Sequence, residues 1–226
     1  MPVCLSKLFP LVMLLPPVLS AQKVEVVDGN VVFVDSKGLR HQKTKSGRDA
    51  DAELAPDNTF IVFARQAHTF TPDTHVSVIK ESEIWTVSTT EGSEPQRLYT
   101  RPSRDPEFKH VLTSPKLSLD SKSVYFMSDF SVTSGALWRL DLATRRAKML
   151  IAGAVDYGII RGGTRNGQLI VQKRSTCTEP LGEEKFSHAC YPFFLSTSEG
   201  RLLKRVARDG SDLNVLLHQY ADFSRE

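Results

Sequence analysis

The 226-residue chain lacks several things, and each lack closes off a class of protein. Cysteine occurs only at Cys4, Cys177 and Cys190, which leaves no material for a cysteine-rich scaffold or a multi-thiolate metal cluster. Charge of one sign is lacking too. The 29 Lys and Arg against 26 Asp and Glu leave a net of +3, without the concentrated basic face of a nucleic-acid binder. After residue 20 no apolar run is long enough to cross a bilayer as a helix. Gly-x-Ser-x-Gly, His-x-His and His-Glu-x-x-His are all absent, so neither a nucleophile elbow nor a zinc site is signalled, and no cofactor is expected. Helical periodicity is missing from residues 22–206. What is present, 40% hydrophobic, 24% charged and 8% aromatic residues, suits an ordinary globular chain.

The N-terminus sets the expected compartment. Lys7 precedes an apolar run from Leu8 to Leu19, and small residues Ser20 and Ala21 follow. That order is the plan of a secretory signal peptide, and Pro10, Pro16 and Pro17 argue against a membrane helix. Cleavage after Ser20 or Ala21 leaves a mature chain with one cation fewer, 28 against 26, and an expected periplasmic or secreted location. Cys4 leaves with the leader, and Cys177 and Cys190 remain as an even pair suited to a disulfide outside the cytosol. A bridge closing a loop of that length contributes about 3 kcal/mol of chain entropy. The flanking segments 168–173 and 191–195 look extended, so the bridge is expected to pin the base of a loop between neighbouring strands.

Short β-branched and aromatic runs bounded by turn residues recur along the mature chain. Val24 to Val27, Asp28-Gly29 and Val31 to Val34 predict a hairpin on a primed turn. Two longer stretches align with each other. Each has a strand, an Asp-centred turn at Asp57 or Asp120, and a second apolar strand, Phe60-Ile61-Val62-Phe63 or Val124-Tyr125-Phe126-Met127. Each continues into a Trp strand, Ile84-Trp85-Thr86-Val87 or Leu137-Trp138-Arg139-Leu140, and then a fourth strand ending at Tyr99 or Leu150. The turns lie 63 residues apart (120 − 57) and the tryptophans 53 apart (138 − 85), so ten extra residues belong between the second and third strands of the first copy, within residues 66–81. A fainter third copy turns at Asn166-Gly167. Four antiparallel strands at this spacing predict an all-β chain, a small or partial propeller of about four blades over residues 22–212. Residues 213–226 form a tail whose stripe of Leu213, Leu216, Leu217, Tyr220 and Phe223 predicts a short helix.

The pattern Leu-x-x-Asp, apolar strand, Ile/Leu-Trp-x-Val/Leu and closing basic strand resembles the TolB-like β-propeller repeat. The likeness covers residues 50–152 and is fainter to 207. The family's Ser-Pro-Asp-Gly turn survives here as Ala55-Pro56-Asp57-Asn58 and Ser118-Leu119-Asp120-Ser121. The resemblance implies an exported scaffold that binds other proteins, or a hydrolase or lactonase.

Candidate chemistry is sparse. Asp49, Asp51 and Glu53 alternate as a calcium site's oxygens do, but a solvated acidic approach to a strand is the expected state. His68 and His75 are expected to be loop residues, and the late cations Arg201, Lys204, Arg205 and Arg208 to be edge-strand charges. Two excursions break the repeat, residues 66–81 and the loop inside Cys177 and Cys190, and binding residues concentrate on such excursions from a rigid scaffold. Phe70, His75, Val78, Leu181 and Phe186 are the candidate binding side chains. The chain is therefore expected to be a noncatalytic exported module that binds another protein, as a periplasmic scaffold or as an inhibitor or immunity protein. The alternatives are a small hydrolase with its site at the propeller centre and a carbohydrate-binding β module. An open propeller would leave strand edges for self-association.

Overall fold

A computed structural model describes residues 21–67, 81–102, 111–131, 134–181 and 184–206. Every regular element among them is a strand, apart from one 3-10 turn at Gly163–Arg165, so the chain is all-β as expected. The expected leader over residues 1–20 and the expected helix within 213–223 lie outside the described residues.

The chain opens with a three-stranded antiparallel sheet, β1 (Lys23–Val27), β2 (Asn30–Val34) and β3 (Arg40–Gln42). Asp28 and Gly29 turn the first hairpin at φ 50° and 67°, the left-handed pair that a primed turn needs. β3 reads Arg-His-Gln and carries no apolar signal, so nothing in its own residues predicts it; it is a strand because it pairs with Val32–Val34.

A four-stranded meander follows, β4 (Asp49–Leu54), β5 (Phe60–Gln66), β6 (Ser82–Ser88) and β7 (Gln96–Tyr99). A second repeats it, with β8 (Leu112–Leu117), β9 (Ser123–Ser131), β10 (Ser134–Asp141) and β11 (Ala147–Ile159). β11 is longer than the sequence suggests and serves twice. Residues 147–154 pair with β10, residues 154–159 pair with β12 (Leu169–Lys173), and Gly153 at φ 78° redirects the strand between them. The third set therefore starts on β11 and β12. After the hairpin of β13 (Ser175–Leu181) and β14 (Glu184–Cys190), it ends on β15 (Phe193–Ser196) and β16 (Leu202–Arg205).

The core lies between sheets. Val31 and Phe33 of the opening sheet meet Ile61, Phe63 and Val87 of the first meander. Val62 and Ile84 point the other way and meet Leu112, Leu117, Val124, Phe126 and Leu140. Tyr125, Met127 and Leu137 in turn meet Tyr157, Ile159, Leu169 and Val171. Alternate side chains of one strand thus serve two neighbours, which is the period-2 logic of a sheet buried on both faces. Four-stranded meanders packed face to face in succession make the arrangement propeller-like.

The two tryptophan stretches are equivalent in space. Trp85 stands opposite Phe63 across β5 and β6, and Trp138 stands opposite Phe126 across β9 and β10. Each indole packs toward the preceding sheet and carries a guanidinium on its face, Arg65 at 4.4 Å and Arg101 at 4.7 Å. The innermost strands match as well. Asp51 and Ser114 both adopt φ 50° inside a β-bulge, and they too are 63 positions apart (114 − 51).

Candidate functional site

All the meanders run with one polarity, so their second-to-third-strand connections leave from a single end. On that insertion end the chain makes the excursion between β5 and β6, a short turn between β9 and β10, and the hairpin between β12 and β15. The first excursion sits where the repeat offset predicted, and its feet are held together by an Ala67 N–H donated to the Glu81 carbonyl at 2.8 Å. Phe70, His75 and Val78 lie outside the described residues.

The second excursion is more ordered than the sequence suggests. Residues 175–190 form a regular antiparallel hairpin whose strands pair with each other and, among the described residues, with no further strand. Its polar alternation, Thr178 opposite Ser187 and Glu179 opposite Phe186, conceals the strands from a search for apolar runs. The expected bridge forms between Cys177 and Cys190, with Cα atoms 5.7 Å apart, set diagonally between the Cys177–His188 and Ser175–Cys190 positions. Alternation puts Phe186 and His188 on the cysteines' face. Their rings stack at 5.9 Å, and Phe186 remains 59% exposed. An aromatic of that size left in solvent on a braced hairpin contributes nothing to the core and is available for contact. Leu181 ends β13, and its side chain is outside the described residues.

Two cavities lie at the hairpin's foot and share Ser134. One of about 450 Å³ is lined by Gly153, Arg174, Thr176, Ser187 and His188. The other, about 370 Å³, is lined by Thr113, Ser114, Asp129, Gly135 and Asp156.

The base of this end is rigid. Arg65 donates Nε and Nη2 to the Asp49 carboxylate at 2.6 and 3.1 Å, and the Asp49 side chain is fully buried. Burial works to raise the pKa of Glu83, but hydrogen bonds from Thr100, Trp85 and Arg97 outweigh it and hold the carboxyl below the ordinary range.

The acidic run does not form a cation site. Asp49 is taken by Arg65 and Ser46, Asp51 accepts the Ser114 N–H at 2.8 Å, and Glu53 pairs with Arg161 at 2.6 Å. The bulge between Ala50 and Glu53 breaks the strand alternation and sends the three carboxylates to three different partners. The solvated acidic approach fails for Asp49, whose carboxylate is fully buried, whereas Asp51 stays exposed while it accepts the Ser114 N–H. Among the described residues no three His, Cys, Asp or Glu side chains are placed to hold a metal.

Polar groups from three successive sets of strands, the second and third joined through β11 in one seven-stranded sheet, do meet where the innermost strands converge. The buried Tyr157 hydroxyl lies 2.5 Å from the Ser114 carbonyl and 2.9 Å from that of Tyr125, and burial pushes its pKa well up. Together with the Asp51–Ser114 and Glu53–Arg161 contacts, these groups bond to one another and tie the sheets together. Of the late cations, Lys204 and Arg205 are exposed on β16, an edge strand among the described residues, and Arg201 is exposed just before it; Arg208 lies outside the described residues.

Against known proteins, no family model and no curated protein matches the sequence. Solved structures give remote likenesses. TolB from Acinetobacter baumannii aligns at 12% identity and a TM-score of 0.36, over 77% of this chain and 50% of that one. The putative TolB from Agrobacterium tumefaciens aligns at 11% and 0.36 over 81% and 76%. A puromycin hydrolase aligns at 15% and 0.42 over 79% and 33%. The chain thus spans half of the first and a third of the hydrolase.

Proposed function

We propose that the chain is an exported, noncatalytic protein-binding module that engages another protein with its insertion end. It would serve as a periplasmic scaffold or as an inhibitor or immunity protein. The observation that carries this reading is the disulfide-braced hairpin of β13 and β14, which holds Phe186 in solvent at 59% exposure. A bridge in a paired, regular hairpin suits an oxidising compartment, in keeping with the leader read from residues 1–21. Phe186 has the makings of an anchor, an aromatic side chain presented on a rigid element. The central-site hydrolase finds less support, because the Tyr157 hydroxyl bonds to backbone carbonyls and the Glu53 and Arg161 side chains bond to each other.

The test is to capture the partner from a periplasmic extract, purify it, and titrate it with the wild-type chain and with Phe186→Ser. An affinity loss of about tenfold or more at unchanged melting temperature supports the reading. Equal affinities would refute the hairpin as the contact.

A further inference from the structure

The two sulfurs of the hairpin bridge have unlike surroundings. Arg205, exposed on β16, places Nη2 4.0 Å from Cys177 Sγ. His188 stands directly opposite Cys177 on the same face, with Nε2 3.8 Å from the Glu179 carboxylate. Among the described residues no cation stands as near to Cys190 Sγ. A guanidinium beside a sulfur stabilises its thiolate, and thiol–disulfide exchange is fastest when the sulfur expelled is the better thiolate. Cys177 is therefore the better leaving group of the pair.

Access and mechanics agree with that polarity. Neither cysteine is buried, and Cys190 lies between two exposed residues, Ala189 and Tyr191. Thr178, Glu179, Lys185, Phe186 and Ser187 are exposed too, and the hairpin pairs with no further strand among the described residues. The bridge can thus open without breaking any ladder of the meanders. A two-stranded hairpin without such a brace is marginal in water.

We propose that the bridge is an exchange site for a low-molecular-weight thiol, attacked at Cys190 Sγ with Cys177 as the leaving thiolate, and that its opening withdraws Phe186 from recognition. The incoming thiolate bonds to Cys190 Sγ as the Cys190–Cys177 bond breaks, and the electron pair leaves on Cys177 Sγ beside Arg205. A second thiol then attacks the incoming sulfur, which frees Cys190 and leaves as an oxidised dimer with the first. Two external thiols are oxidised, and the bridge is reduced to two thiols that take up their protons. The effect on recognition rests on the Phe186 reading; the exchange does not.

Exchange is measured on the oxidised chain alone, with Cys4 blocked by N-ethylmaleimide. Glutathione is added, the reaction is quenched in acid with fresh maleimide, and tryptic peptides are weighed, cleavage after Lys185 parting the two cysteines. Early in the reaction glutathione should sit on Cys190 and maleimide on Cys177, at about fivefold or more over the converse. Arg205→Gln should slow this step about threefold and erase the preference at unchanged melting temperature, whereas Arg201→Gln should alter neither. Equal labelling of the two cysteines, glutathione chiefly on Cys177, or an Arg205→Gln chain that reacts like the parent overturns the proposal. So does a bridge that stays closed until the meanders unfold. A chain reduced and capped with methyl methanethiosulfonate should bind the captured partner at least about threefold more weakly, and equal affinity overturns the control of binding. Failure of the Phe186 reading is told apart by unchanged affinity in Phe186→Ser while the exchange pattern persists.

Discussion

The two ends of the sheets are built differently. At the turn end each reversal is short and locked by a side chain. Asp57 accepts the Thr59 N–H and hydroxyl, Asp120 accepts the Lys122 N–H and the Ser118 hydroxyl, and Asp141 accepts the Thr144 N–H and hydroxyl. At the insertion end the β9–β10 turn stays short, but the β5–β6 and β12–β15 connections lengthen, and the second of these becomes a braced hairpin with an aromatic side chain in solvent. Turns that fix register must keep their polar side chains, whereas connections that fix nothing can lengthen and take on contact residues. On the proposed reading the difference assigns strand register to one end and recognition to the excursions at the other, above the buried Asp49–Arg65 pair.

The boundary between these roles can be broken first at the base of the insertion end. Asp49→Asn strips a fully buried carboxylate from Arg65 and should cost about 3–5 kcal/mol of unfolding free energy in a denaturant titration. A loss below about 1 kcal/mol would mean that Arg65 holds its place over Trp85 unaided. Next in size, Phe186→Ser should weaken partner binding about tenfold and leave the melting temperature unchanged. Replacing both Cys177 and Cys190 with Ser should speed exchange of the β13 and β14 amides and weaken binding, while the meanders melt within a few degrees of the parent, because the bridge closes only its own hairpin.

The smallest effect belongs to the turn end and depends on pH. Hydrogen bonds hold the carboxyls of Asp57, Asp120 and Asp141 below the ordinary aspartate value of 3.8, chiefly those from Thr59, Ser118 and Thr144 respectively. With folded pKa values lowered, the unfolded chain takes up protons first on acidification. The stabilisation is complete above 3.8 and is lost as pH falls through the lower folded values. Melting temperatures of the Asp57→Asn, Asp120→Asn, Asp141→Asn triple variant should therefore fall less steeply with acid than those of the parent, and partner binding at neutral pH should be unchanged.

Much of the scaffold is legible in the residues, for identifiable reasons. The Asp28-Gly29 hairpin follows from turn chemistry, and the 63-residue offset follows from apolar strands that need the same faces buried in each copy. The offset also places the excursion between β5 and β6. Other features have no signal in residue type. β3 and the β13–β14 hairpin are polar strands made by pairing, and the bulges at Asp51 and Ser114 share a backbone shape while their side chains differ. The Glu53–Arg161 pair lies past the bulge at Asp51, which alternation along the strand cannot anticipate. Of the binding candidates, Phe186 alone is described with its side chain, which is exposed.

The most direct measurement is hydrogen exchange of the chain alone and with its captured partner bound. Slower exchange over residues 175–190 and 66–81, with residues 56–59 and 119–122 unchanged, is the expected result. Slowing confined to those tight turns would place the partner at the opposite end and contradict the account.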